Sequence, residues 1–106
     1  MGEEKLIRRF VPMSETMFYI LLSLRIERHG YGIMLHVQEI TKGRIVLGAG
    51  TVYQTLSKLE RDRLIAPTEE VDRRKMYIIT QAGRAVLARE AERICELYEA
   101  AKEMLS

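Results

Sequence analysis

GAGTVYQTLSKLERDRL, Gly48 to Leu64, is the stretch whose reading decides the fold. Two glycines open it, where a regular element is not expected. Thr51 then offers an N-cap, with Gln54 three residues on as its capping-box partner. Val52, Leu56 and Leu59 recur at spacings of four and three, which predicts one narrow buried stripe. Gln54, Lys58 and Arg61 occupy the opposite face. A short helix with an anchored back and a basic, amide-bearing front has what major-groove reading requires. Arg or Lys pairs with guanine edges, Gln with adenine, and either cation with phosphate. An ordinary amphipathic helix with solvated charges shows the same pattern. The flanking sequence has to separate the two.

Upstream, Lys5, Arg8 and Arg9 form a small basic cluster in an N-terminal arm, residues 1–12. Pro12, Ser14 and Glu15 mark a helix start. Met17, Ile20, Leu21 and Leu24 continue at helical spacing, which predicts a first helix over roughly residues 14–28. Phe18 and Leu22 add a second apolar flank, more than a lone surface helix needs. That flank calls for a second copy of the chain or for the C-terminal helix. His29-Gly30 ends this helix and Tyr31-Gly32 begins the next, whose buried side is Ile33, Met34, Val37 and Ile40. Gly43 closes it beside Lys42. Ile45-Val46-Leu47 is too short for a helix and reads as a strand fragment. The three helices together make a helix-turn-helix arrangement.

Beyond Leu64 the period changes. Residues 65–71 and 76–80 are β-branched or alternating, separated by Asp72-Arg73-Arg74-Lys75. This predicts a hairpin with three consecutive positive charges at its tip. Pro67 puts the first strand at an edge. A three-helix unit closed by such a hairpin is a winged helix, and Arg73, Arg74 and Lys75 are its candidate phosphate contacts. Thr80 caps a last helix running to about Leu105, with Gly83 as a weak spot in its first turn. Leu87, Ala91, Ile94, Tyr98, Ala101 and Leu105 recur every three or four residues, flanked by Leu97 and Met104. A helix of ~37 Å overshoots so small a domain, and its stripe needs a partner. The expected homodimer seam is Met17, Leu21, Leu87, Ile94, Leu97, Tyr98, Ala101 and Leu105.

The fold class is therefore mainly α with a small β-hairpin. A winged helix-turn-helix domain over residues 1–80 is followed by a dimerisation helix over residues 81–106. A net charge of +2 over 106 residues means little until it is divided. Residues 42–75 hold eight basic and five acidic side chains, while residues 1–41 balance five against five. The excess sits on the opening stretch and the hairpin, as a DNA-binding surface would have it. No apolar run approaches the ~20 residues of a membrane span, and the start lacks the order of a secretory signal. Leu6 breaks a myristoylation motif. One cysteine excludes an internal disulfide framework and suits a reducing cytoplasm, the expected location.

Three blocks resemble the PadR transcriptional regulators: HGYGI at Tyr31 and its neighbours, GTVYQTLSKLE from Gly50, and RRKMYIITQAG from Arg73. They come in that family's order and spacing and cover nearly all of residues 14–90. The chain looks like the short subfamily, whose members dimerise through a single C-terminal helix. The resemblance implies a dimer on a palindromic operator, usually repressing transcription, and released by a small aromatic or hydrophobic effector. It places Thr51, Tyr53 and Gln54 near DNA, with Arg73, Arg74 and Lys75 as the basic wing. The chain departs from the family in carrying Arg63 where glycine is usual before Leu64, and in having a compact wing.

Nothing reads as catalytic, and no cofactor is expected. His29 and His36 lack further ligands at metal spacing. Gly48-Ala49-Gly50-Thr51 lacks the lysine of a phosphate loop. Cys95 is expected to pack at the helix interface rather than to sense oxidation. Tyr53 is expected to aim its hydroxyl at a phosphate and rest its ring on the wing, and Tyr77 to sit in the core. Phe18, Tyr19, Ile94 and Tyr98 either line an effector pocket or fill the dimer seam; filling is the ordinary use of such rings. The rival function is a winged-helix dimer that binds protein. Such modules lose the basic face, whereas Lys58, Arg61 and the Arg73–Lys75 run are all retained here. Glu69, Glu70 and Asp62 partly offset them.

Overall fold

The computed structural model describes residues 2–106 and contains five helices and three strands among them. In chain order these are α1 (Glu3–Phe10), α2 (Glu15–Ser23), β1 (Arg28–His29), α3 (Gly30–Ile40), α4 (Ala49–Arg61), β2 (Ile65–Val71), β3 (Arg74–Ile79) and α5 (Gln81–Leu105). The mainly helical class with a small antiparallel sheet is as expected. The sheet, however, has a third strand, in the order β1-β3-β2.

The described part of the expected basic arm, residues 2–12, is more than an arm. Leu6, Ile7 and Phe10 lie at i, i+1 and i+4, so α1 buries one stripe against α5. Its cations point outward, and Arg9 Nη1 reaches Asp62 Oδ1 at 3.0 Å. Ser14 caps α2 as expected, accepting from the Met17 amide at 3.1 Å. α2 stops at Ser23 and does not run to residue 28. The carbonyls that would continue it are taken elsewhere. Arg28 Nε donates to the Ser23 carbonyl at 2.9 Å, and the Ile79 amide donates to the Leu24 carbonyl at 2.8 Å. Arg28 and His29 are thereby laid against Tyr77 and Met76 of β3.

His29 also caps α3, its Nδ1 accepting from the Gly32 amide at 2.9 Å. Lys42 and Gly43 end α3 at φ 53° and 80°, and the Gly43 amide bonds back to the Gln38 carbonyl at 2.8 Å. Ile33 and Val37 are fully buried, but Ile40, expected on that side, is exposed. The expected strand at Ile45-Val46-Leu47 is an irregular link. The Ile45 amide bonds to Thr41 Oγ1 at 3.1 Å instead of to a strand, and of the three only Leu47 is buried.

α4 begins at Ala49 with Gly48 as its N-cap, so Thr51 lies inside the helix and caps nothing. Gly50 is helical too. The capping box with Gln54 is absent because the Val52 amide already finds the Gly48 carbonyl at 3.1 Å. At the other end Arg63 adopts φ 61°, and the Leu64 amide bonds back to the Leu59 carbonyl at 2.9 Å. This is a left-handed helix end, the backbone conformation that glycine adopts most readily. The hairpin turns on two residues, Asp72 and Arg73, both at positive φ. Arg74 and Lys75 therefore belong to β3 and not to the tip. β2 is the outer strand, as Pro67 requires, and its register slips between Pro67 and Glu70.

Thr80 caps α5 as expected, accepting from the Gly83 amide at 3.1 Å and donating to the Arg63 carbonyl at 2.7 Å. Gly83 is no weak spot: it is buried where α5 crosses Leu64. Ile20, Leu21, Leu24, Ile33, Val37, Val52, Leu56, Leu59, Leu64 and Val86 make a fully or almost fully buried core between the helices and the sheet.

Candidate nucleic-acid interface

The buried stripe of α4 is Val52, Leu56 and Leu59, and it turns the rest of the helix outward. Thr51, Gln54, Ser57, Lys58 and Arg61 are exposed, which leaves a polar ridge with nothing laid over it. One flank of that ridge meets α3 and the wing. The half-exposed Tyr53 ring lies on Gly30, where a methyl group would sit 2.7 Å from its Cζ. Its ring thus rests on the start of α3 and not on the wing. Lys75 Nζ approaches Glu60 at 3.6 Å and ties β3 to the last turn of α4.

Arg74 is drawn the same way. Its guanidinium lies 5.4 Å from the centre of the Tyr31 ring, and its Nη1 is 3.4 Å from His29 Nε2. Of the three wing cations, Arg73 alone stands at the turn, and only Lys75 makes an ion pair among the described residues. The other flank of α4 meets α1, with Lys58 Nζ 5.7 Å from the centre of the Phe10 ring. The exposed ridge therefore runs between the wing and α1.

The residues expected at a dimer seam divide into three groups. Leu21 and Leu87 are buried within the chain itself and cannot meet a partner without unfolding. Met17 and Ile94 are partly covered, and Leu97, Tyr98, Ala101 and Leu105 are exposed. Val86, Leu87, Glu90 and Ile94 lie on one side of α5, and Leu97, Tyr98, Ala101 and Leu105 continue it at helical spacing. The winged-helix core covers the first half of the stripe and leaves the second bare. Cys95 is exposed beside it.

Of the four candidate pocket residues, Phe18, Tyr19 and Ile94 line one cleft of about 240 Å³, together with Met13, Glu15, Glu90 and Arg93. Tyr98 lies beyond it. Glu90 was not anticipated, although its place on the apolar stripe was the signal. Its carboxylate is buried, holds Arg93 through contacts of 2.6 and 2.9 Å, and accepts from the Met13 amide at 2.9 Å. These bonds, that of Arg93 first, hold its pKa below the usual carboxylate value against the opposing effect of burial. A carboxyl with a depressed folded pKa contributes stability above its unfolded value, and loses it as pH falls through the folded one. Glu90→Gln is expected to cost on the order of 2 kcal/mol at pH 7. In parallel urea melts the gap to wild type should close below about pH 4. A gap that stays constant with pH would show that the charge is not what stabilises.

His36 makes a further, partly buried polar contact, its Nδ1 2.8 Å from Ser23 Oγ. Its pKa is lowered by burial and then by Arg28. Among the described residues no His, Cys, Asp and Glu side chains gather as a metal site, and no helix is long and apolar enough to cross a membrane.

Known proteins share both sequence and architecture with the chain. It is 38% identical over 69 residues to an uncharacterized 37.1 kDa protein in transposon TN4556 of Streptomyces fradiae, matching 65% of this chain and 19% of that protein. It is 29% identical over 96 residues to the transcriptional regulator YqjI of Escherichia coli, matching 90% of this chain and 46% of that one. The chain thus spans less than half the length of these relatives. A PadR family transcriptional regulator from Eggerthella lenta superposes with a TM-score of 0.73 at 23% identity, covering 97% of this chain and 88% of that chain. Bacillus subtilis PadR in complex with operator DNA superposes with a TM-score of 0.64 at 25% identity, covering 72% and 46%. Residues 19–89 match the transcriptional regulator PadR-like family, and they include α4, the wing and the first turns of α5. The chain belongs to the PadR-like family of transcriptional regulators.

Proposed function

We propose that the chain is a homodimeric repressor that reads a pseudo-palindromic operator with α4. The observation that carries this reading is the exposed ridge of Gln54, Lys58 and Arg61, framed by the wing and α1. A helix with its apolar side anchored and such a ridge free has the width and donors that a major groove accepts. Support also comes from the Bacillus subtilis relative, whose structure is of a complex with operator DNA. Two copies joined along the bare half of α5 would present two ridges to half-sites about one DNA turn apart. Release by a small hydrophobic or aromatic effector is part of the proposal. The cleft beside Phe18, Tyr19 and Ile94 abuts α5, so a molecule seated there would act on the helix that sets the spacing.

Gln54→Ala is the discriminating variant. On the cognate operator, found by selection from a random library, it is expected to lose on the order of 1–3 kcal/mol of binding. It should relax the preference at one base position per half-site. Affinity for random duplex should barely change, because a neutral amide releases no counterions. Equal losses on both DNAs would mean that α4 only positions the protein. No binding to any duplex would return the chain to the protein-binding alternative.

A further inference from the structure

We infer that α1 is a third DNA-contact element, whose Lys5 and Arg8 hold phosphates on the side of α4 away from the wing. The inference rests on the DNA-binding reading above and extends it to residues outside the helix-turn-helix and the wing. A helix seated in the major groove lies between two sugar-phosphate strands. The wing reaches toward one of them, since Lys75 fastens β3 to Glu60 on one flank of α4. The opposite flank is closed by α1, where Lys58 lies over Phe10.

The placement of α1 is held at several points. Leu6, Ile7 and Phe10 are buried, and Arg9 pairs with Asp62, the C-cap of α4. Asp62 is only 8% exposed, and its Oδ2 has no partner. Arg9 is therefore the counter-ion of an otherwise stranded carboxylate, and its loss would leave a buried charge unpaired. That makes Arg9 a positioning residue, locking α1 to the end of the helix that faces DNA. Its charge is spent on Asp62. Lys5 and Arg8, three residues apart on the outward face, make no ion pair among the described residues. Lys58 and Arg61 are the exposed cations of α4, the helix to which Arg9 and Phe10 join α1. Glu3 and Glu4 sit in the first turn of α1, at the end away from Arg8 and Arg9.

The test measures binding of the full chain to a random 30-base-pair duplex between about 50 and 200 mM salt. Wild type, Lys5→Ala/Arg8→Ala and Lys102→Ala are compared, each checked for an unchanged melting temperature. If Lys5 and Arg8 each neutralise a phosphate, the double variant's slope of log affinity against log salt flattens by ~1.8 per subunit. Across that range it then loses about tenfold less affinity per subunit than wild type. Lys102→Ala removes one charge from the far end of α5 and should leave the slope alone. A double variant with the wild-type slope overturns the inference and leaves the DNA-binding reading intact. Equal flattening in Lys102→Ala also overturns it, since net charge alone would then be responsible. Wild type that binds no duplex removes both readings together.

Discussion

Gly83→Ala will unfold far more readily than wild type, by on the order of 3 kcal/mol, with a melting temperature lower by more than about 10 °C. Helix propensity alone argues the other way, since alanine within a helix is favoured over glycine by about 1 kcal/mol. Packing decides the sign. A methyl group at Gly83 would lie 2.1 Å from the Leu64 carbonyl oxygen and 2.7 Å from Ile79 Cγ1. The Leu64 oxygen cannot retreat cheaply, because it accepts from the Thr80 amide at 3.0 Å where α4, the sheet and α5 converge. Gly50→Ala is the matched control. Nothing lies within 4 Å of a methyl group at Gly50, so that variant should melt at or slightly above wild type. Equal melting of Gly83→Ala and wild type would mean that α5 does not cross Leu64 this closely.

Leu97→Glu combined with Leu105→Glu will convert a dimer into a folded monomer, as read by sedimentation equilibrium. Both side chains are exposed on the bare half of α5, at 54% and 86%, and neither belongs to the core of the chain. Folding therefore proceeds without them, and what they lose is the proposed partner. Burying each leucine in a seam is worth about 2 kcal/mol, and an unpaired carboxylate placed there costs several more. Operator affinity should fall by at least about 100-fold, because the second half-site is no longer bound intramolecularly. A wild-type chain that sediments as a monomer, or a doubly substituted chain that remains a dimer, would sink the homodimer proposal.

Several features were legible from residue order alone, each where one local rule acts without competition. The stripe of Val52, Leu56 and Leu59 needed only the helical period. Thr80 and Ser14 announce their helices because a side-chain acceptor beside free amides has few other uses. Pro67 places β2 outermost because it has no amide to donate. The family likeness followed from three blocks lying in order, and it gave the fold class with them.

Other features depended on partners far away in the chain. α2 ends at Ser23 because Arg28 and Ile79 claim its last carbonyls, and β1 exists only because β3 offers an unpaired edge. Local pattern favoured more helix there. Thr51 looked like a cap, but the Gly48 carbonyl was in place three residues earlier to start α4. Lys5, Arg8 and Arg9 read as a basic cluster in an N-terminal arm, and only the fold shows that Arg9 pairs with Asp62. Leu21 and Leu97 are both apolar and at helical spacing, and only the packed core shows that the first is enclosed while the second stays bare. Spacing along a chain reports which residues share a face, whereas what covers that face depends on surfaces brought together from distant positions, and only the tertiary structure supplies those.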